Sequence, residues 1–176
     1  VVLFGAFLSG CASQYGDDVG PADMVQSYRT GQQEFQSGRY DGALAHYQAA
    51  LIISEKENGP GDKSTATILN AMALTHKTKG DYAAAEPLYK RSLAIREEIY
   101  GNDHPSLATT LNNLASLYRA QGKLDQAAPL YARSLEILKE LAGDNKESMD
   151  ALINSLAGVY IRQGKITAAR SLLRSE

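Results

Sequence analysis

The stretch Y-R-A-Q-G-K-L-D-Q-A, residues 118–127, decides the fold. Helix-forming residues run up to a single glycine, Gly122, and resume directly after it. Stepping away from Gly122 in intervals of 21 residues meets Gly101, Gly80, Gly59 and Gly38 on one side, then Gly143 and Gly164 on the other. Glycine is the usual residue just past a helix end, because a left-handed backbone costs it nothing. Between successive glycines lies enough helical sequence for one long helix each. The rhythm predicts an array of helix hairpins.

The repeating unit is two helices, because alternate intervals differ. G-R-Y-D-G-A-L-A-H-Y-Q-A-A-L from Gly38 realigns with G-D-Y-A-A-A-E-P-L-Y-K-R-S-L from Gly80, with G-K-L-D-Q-A-A-P-L-Y-A-R-S-L from Gly122, and with G-K-I-T-A-A-R-S-L-L from Gly164. The step is 42 residues each time. T-I-L-N-A-M-A-L-T-H likewise realigns with T-T-L-N-N-L-A-S-L-Y and with A-L-I-N-S-L-A-G-V-Y.

These residues resemble the tetratricopeptide repeat family, in the 42-residue variant known from kinesin light chains. The resemblance rests on the G-x-[YLI]-x-x-A turn, a Tyr four residues after that Ala, and a small-Leu pair three to four further on. It implies an all-α fold: a right-handed superhelical solenoid of antiparallel helix pairs. Residues 21–176 form this domain, with repeats at about 24–65, 66–107, 108–149 and a shortened 150–176. The family is usually quoted at about 34 residues; the additional length here extends the second helix and its exit loop, as in I-R-E-E-I-Y-G-N-D-H-P-S. No tryptophan occupies the first-helix position where many repeats carry one.

With 176 residues and 44% hydrophobic composition, one domain has ample core material. A formal net charge of −2 argues against a nucleic-acid partner, which wants a basic surface. There is no nucleotide loop, paired metal-ligand spacing or G-x-S-x-G elbow, so neither cofactor, metal nor catalytic role is expected. His46, His76 and His104 fall on different repeat positions. His76 stands where the sister repeats have Tyr118 and Tyr160, which marks it as a packing residue.

The beginning differs in kind. V-V-L-F-G-A-F-L-S-G-C is apolar but too short to span a bilayer, and residues 1–10 are expected to be the inner part of a secretory signal. Leu8-Ser9-Gly10-Cys11 resembles the bacterial lipobox, which implies cleavage before Cys11 and lipid attachment to its sulfur. The bland alternative is a buried apolar strand with an inert thiol. Residues 11–20 would then be the lipidated cysteine and a polar, glycine-containing tether. Ala12, not Asp, follows the cysteine, a pattern that in enteric bacteria implies an outer-membrane location facing the periplasm. Pro21 and Pro105 each suit the first turn of a helix, with Asp23 near the positive end of the first helix dipole.

Each first helix carries two faces. Leu111, Leu114, Ala115 and Tyr118 recur at helical spacing, as do Leu69, Met72, Ala73 and His76, and Ile153, Leu156, Ala157 and Tyr160. They are expected to be core, packed on small residues of the second helix such as Ala85, Ser92, Ala127 and Ser134. The other face, spaced 3, 4, 3, holds Thr109, Asn112, Ser116 and Arg119, with sisters Thr67, Asn70, Leu74 and Lys77, and Ala151, Asn154, Gly158 and Ile161. By resemblance this face lines the concave groove. Asn70, Asn112 and Asn154, with Asn113 beside the middle one, would form a ladder able to pair with a peptide main chain. Lys77 and Arg119 would favour an acidic segment or a free carboxyl terminus, while Leu74, Gly158 and Ile161 suit a partly apolar ligand such as a partner helix. The alternative is that these asparagines are merely solvated.

Pro87 and Pro129 sit about a turn inside second helices and are expected to kink them mildly. Repeat one has polar Ser27, Thr30, Gly31 and Glu34 where its sisters are apolar, and a shifted stripe of Met24, Tyr28 and Phe35. That is the character of a capping repeat. Beyond the last pair no further helix is present, so an exposed docking face for a partner or a second copy is expected there. The expected function is a non-enzymatic adaptor that binds a protein or peptide while lipid-anchored in the bacterial envelope. The alternatives are a self-associating subunit of a pilus or secretion assembly, or an accessory part of a larger enzyme.

Overall fold

Four of the six positive-φ glycines close first helices in the same way. After the second repeat's first helix, Gly80 N–H donates to the Lys77 carbonyl at 3.0 Å and Asp81 N–H to the His76 carbonyl at 2.9 Å. The same pair of bonds recurs at Gly38 and Arg39, at Gly122 and Lys123, and at Gly164 and Lys165. This is the Schellman closure, which satisfies helix-end carbonyls and turns the chain back on itself. Gly59 and Gly101 also take positive φ, in the longer connections that leave the second helices.

The structure, a computed structural model, describes residues 21–140 and 146–174. The expected signal, Cys11, the tether and Gly143 lie outside the described residues. Those described form α1 (Pro21–Gln36), α2 (Tyr40–Glu57), α3 (Lys63–Thr78), α4 (Tyr82–Tyr100), α5 (Pro105–Ala120), α6 (Leu124–Glu140), α7 (Lys146–Arg162) and α8 (Ile166–Leu172), and include no strand. Successive helices pair as antiparallel hairpins, and each hairpin packs on the next, giving an all-α solenoid. Helix entry follows the sequence signals. Pro21 opens α1, and Pro105 opens α5 behind a His104 cap whose ring accepts from Ser106 N–H. The Asp62 and Asp81 side chains cap α3 and α4.

The core lies between the paired helices. Leu69, Leu111, Ala73 and Ala115 are fully buried against Ala85 and Ala127 or their neighbours. The small residues of the second helices do more than make room. Ser92 Oγ donates to the Ala66 carbonyl at 2.7 Å, and Ser134 Oγ to the Ala108 carbonyl at 2.8 Å, the same bond one repeat on. Neighbouring repeats are tied by a second recurring device, in which Arg91 pairs with Glu55 and Arg133 with Glu97. His76 is only partly buried, with Nδ1 3.2 Å from a carboxylate oxygen of Asp81; Tyr160 is partly buried too. Met24, Tyr28 and Phe35 of repeat one do pack on the first core cluster.

Helices α4 and α6 run unbroken through Pro87 and Pro129. Both prolines are exposed, as are Ala83 and Asp125 four residues earlier, whose carbonyls lose their helical donor. The orphaned acceptors therefore face solvent, where water satisfies them.

Two helix-interior glycines have opposite surroundings. A Cβ on Gly31 would meet the Tyr47 ring at 2.7 Å, whereas one on Gly158 would meet nothing within 4 Å. Gly158→Ala is expected to stabilise the protein by about 0.5–1 kcal/mol through helix propensity. Gly31→Ala is expected to destabilise it by about 1–3 kcal/mol, since the ring must shift. Urea unfolding of the two variants checks this, and the same sign for both would contradict the packing of α1 on Tyr47.

Candidate functional site

First helices of adjacent repeats touch each other directly across α3 and α5. Second helices meet across repeats through long arginine and glutamate side chains. The first helices thus lie on the inside of the curve, and their outward-turned residues line a concave surface. Asn113 Nδ2 donates there to Asn70 Oδ1 at 3.4 Å. Lys77 Nζ donates to Ser116 Oγ at 2.8 Å, again from one repeat to the next. Asn112 and Asn154 make no side-chain hydrogen bond among the described residues; Asn112 is half-buried and Asn154 exposed. Asn70 accepts its cross-repeat bond from Asn113 and not from Asn112, because the stagger between stacked hairpins brings the next residue round towards the preceding helix.

The charges on this surface are uncompensated. Burial lowers the Lys77 ammonium pKa, and the nearby Arg119 guanidinium lowers it further. Neither cation has an ion pair among the described residues. Arg119 sits in register with Lys77, but the residue one repeat beyond Ser116 is Gly158, so it has no matching hydroxyl to hold it. Two adjacent cations without a carboxylate, flanked by amide side chains able to donate and accept, are suited to holding an anionic group and an extended main chain.

Two residues of this surface are not identified as such by the sequence, Tyr28 being read there only as part of an apolar stripe. Tyr28 stands one repeat before Asn70, in register with the asparagines, and its ring lies 5.5 Å from that of Tyr47. It substitutes an aromatic wall for the first amide. Arg96, on α4, reaches Thr67 on the groove face, its Nη2 donating to Thr67 Oγ1 at 3.1 Å. Its register mates are Ser54 and Leu138, and that break in the repeat was the available signal. Among the described residues there is no group of three or more metal-ligating side chains, and no helix is long and apolar enough to cross a membrane.

A protein that presents such a surface on stacked helix hairpins is a helical-repeat scaffold. The chain belongs to the tetratricopeptide repeat family, whose pattern matches residues 23–98 and again 64–140. No curated protein sequence matches it significantly. Among solved structures it is similar to BtubC (BKLC) from P. vanneervenii, at 24% identity and a TM-score of 0.80, over 85% of this chain and 59% of that one. The chain therefore spans about three fifths of that protein. It is also similar to a Podosopora anserina putative kinesin light chain with nearly identical TPR-like repeats, at 21% identity and a TM-score of 0.79, over 88% of this chain and 73% of that one. A third is the Yersinia enterocolitica type III secretion chaperone SycD in complex with a peptide of the translocator YopD, at 17% identity and a TM-score of 0.65, over 84% of this chain and 99% of that one. At these identities the likeness is one of fold.

Proposed function

We propose that the chain is a non-enzymatic adaptor that binds an acidic peptide segment, or a free carboxyl terminus, along the concave face of its first helices. The observation that carries this is the pair Lys77 and Arg119, close enough for one to lower the pKa of the other and without a carboxylate partner among the described residues. An anionic ligand relieves that repulsion, and in this reading the amides of Asn112 and Asn154, with the remaining hydrogen-bonding capacity of the Asn70–Asn113 pair, meet its backbone. A rigid stack presents these contacts together, so ordering falls mainly on the ligand. The fold-level neighbour that holds a peptide supports the same use of this architecture.

A labelled peptide of alternating Glu and Leu with a free carboxyl terminus is the probe. Its affinity is expected to fall at least about tenfold in the Lys77→Gln/Arg119→Gln double variant, and to weaken with added salt. The sign with pH follows from the lowered Lys77 pKa. Binding is strongest while Lys77 is protonated and declines as pH rises, starting below the ordinary lysine value of 10.5; Lys77→Arg removes that decline. Unchanged affinity in the double variant would sink the charge assignment.

The same proposal places the adaptor on the outer membrane of a bacterial envelope, facing the periplasm, with Cys11 as the lipid attachment point. It rests on the Leu8-Ser9-Gly10-Cys11 pattern and on the need for more than one acyl chain for stable anchoring. Incorporation of labelled palmitate that persists in Cys11→Ser contradicts it.

A further inference from the structure

A cavity of about 310 Å³ opens where the start of α1, the start of α3 and the end of α4 converge. Met24, Val25 and Ile68 give it apolar walls, and the cationic side chains of Arg96 and Lys63 also line it. No carboxylate lines it, although the whole chain has a net charge of −2. Arg96 is held in a fixed pose. The Thr67 hydroxyl donates to the Lys63 carbonyl at 2.9 Å and so presents its lone pairs to the Arg96 guanidinium. The Arg96 Nε is buried and has no hydrogen-bond partner among the described residues. Burial lowers the Arg96 pKa, while the Tyr100 and Tyr28 phenols beside it act in the opposite direction.

The repeat register shows no shared architectural role for this residue. At the equivalent positions Ser54 bonds to Thr65 inside the core, and Leu138 packs on core clusters. The stack is thus built elsewhere without a cation here, and Arg96 with its cavity is peculiar to one repeat. A partly buried cation with an unpartnered Nε, beside an apolar hollow of this size, suits one ligand chemistry. The apolar part fills the hollow, and an anionic oxygen pair completes the guanidinium fork.

We propose that this cavity is a binding site for a carboxylate carried on a single apolar group, either a free aliphatic or aromatic acid or the last residue of a peptide. It does not rest on the groove reading. Lys77 lies ten residues beyond Thr67 on α3, roughly 15 Å along the helix, so a ligand of this size does not reach it.

The test uses the full chain, labelled with nitrogen-15, and four probes: 3-phenylpropanoate, N-acetyl-phenylalanine and the amide of each. Both acids are expected to bind saturably and to shift the backbone amides of Val25, Thr67 and Ile68, while the amides bind at least about tenfold more weakly. Tighter binding of N-acetyl-phenylalanine assigns the site to a peptide terminus, and tighter binding of 3-phenylpropanoate to a free acid. Arg96→Met is expected to weaken both acids by about tenfold or more. Val25→Trp, at a half-exposed position where the larger ring fills the hollow, is expected to abolish binding without unfolding the chain. Acids and amides binding alike, acid binding that survives both variants, or no binding at millimolar concentration overturns the proposal. A concentration-dependent dimer lost in Val25→Trp would assign the hollow to a second copy of the chain and overturn it as well.

Discussion

Tyr89→Ala is expected to destabilise the protein by about 3–5 kcal/mol, the range for truncating a large aromatic side chain in a packed core. Tyr89 is fully buried between α3, α4 and α5, in the same cluster as Ala73, Ala85 and Leu114. Its hydroxyl is also buried and has no hydrogen-bond partner among the described residues. Burial pushes the phenol far above its ordinary pKa, so it stays neutral throughout the working range. The ring stabilises the fold while the hydroxyl is an uncompensated desolvated group. Tyr89→Phe should therefore be neutral or more stable by up to about 1 kcal/mol. Tyr118 supplies the contrast, because its hydroxyl donates to Glu86 at 3.0 Å. Tyr118→Phe should cost about 1 kcal/mol. Urea unfolding followed by circular dichroism measures all three, and a Tyr89→Phe variant as damaged as Tyr118→Phe would show that Tyr89 has a partner after all.

Replacing Gly38, Gly80 and Gly122 together by alanine is the second large effect. Each has φ between 75° and 83°, and an added Cβ would meet nothing within 4 Å. The cost is consequently one of backbone conformation alone, about 1–2 kcal/mol at each site. The three sites lie in different repeats and share no partner, so the costs should add to about 3–6 kcal/mol. Single variants of about one third the effect each would support that additivity. A triple variant as stable as the wild type would contradict the Schellman closures described for α1, α3 and α5.

The fold was legible because it repeats. A glycine every 21 residues states where helices end, and six of the seven positions take the positive φ that the spacing predicts, Gly143 lying outside the described residues. The core stripe was legible for the same reason, since Leu69, Leu111 and Ile153 occupy one position in three copies and all are buried. Ser92 and Ser134 were recognised as small packing residues, but their bonds to Ala66 and Ala108 depend on how close two helices approach, which composition does not state. The prolines violated a local rule, and only the exposure of their side of α4 and α6 explains why those helices continue.

The candidate site was less legible, and the reason is instructive. Lys77, Arg119 and the asparagines could be singled out because they recur. Their pairing could not, since Lys77 with Ser116 and Asn70 with Asn113 join helices some forty residues apart through the stagger of the stack. Arg96 is not singled out by the sequence, because attention to shared positions passes over the places where a repeat departs from its sisters, and Tyr28 is read there only as part of the apolar stripe of repeat one. A duplicated scaffold acquires individual chemistry at such departures, and the cavity beside Arg96 is built from them.

The central claim is that partners are held on the inner face of the curve. Photo-cross-linking from that face and from its opposite tests it most directly. A benzophenone amino acid replaces Thr109, exposed on the first helix α5, or Glu136, exposed on the second helix α6. Each variant is illuminated in cell extract. The account predicts a discrete adduct from position 109 that disappears when Asn70, Asn112 and Asn154 are changed to alanine, with none from position 136. Adducts from position 136 alone, or an adduct at 109 indifferent to the three asparagines, would contradict it.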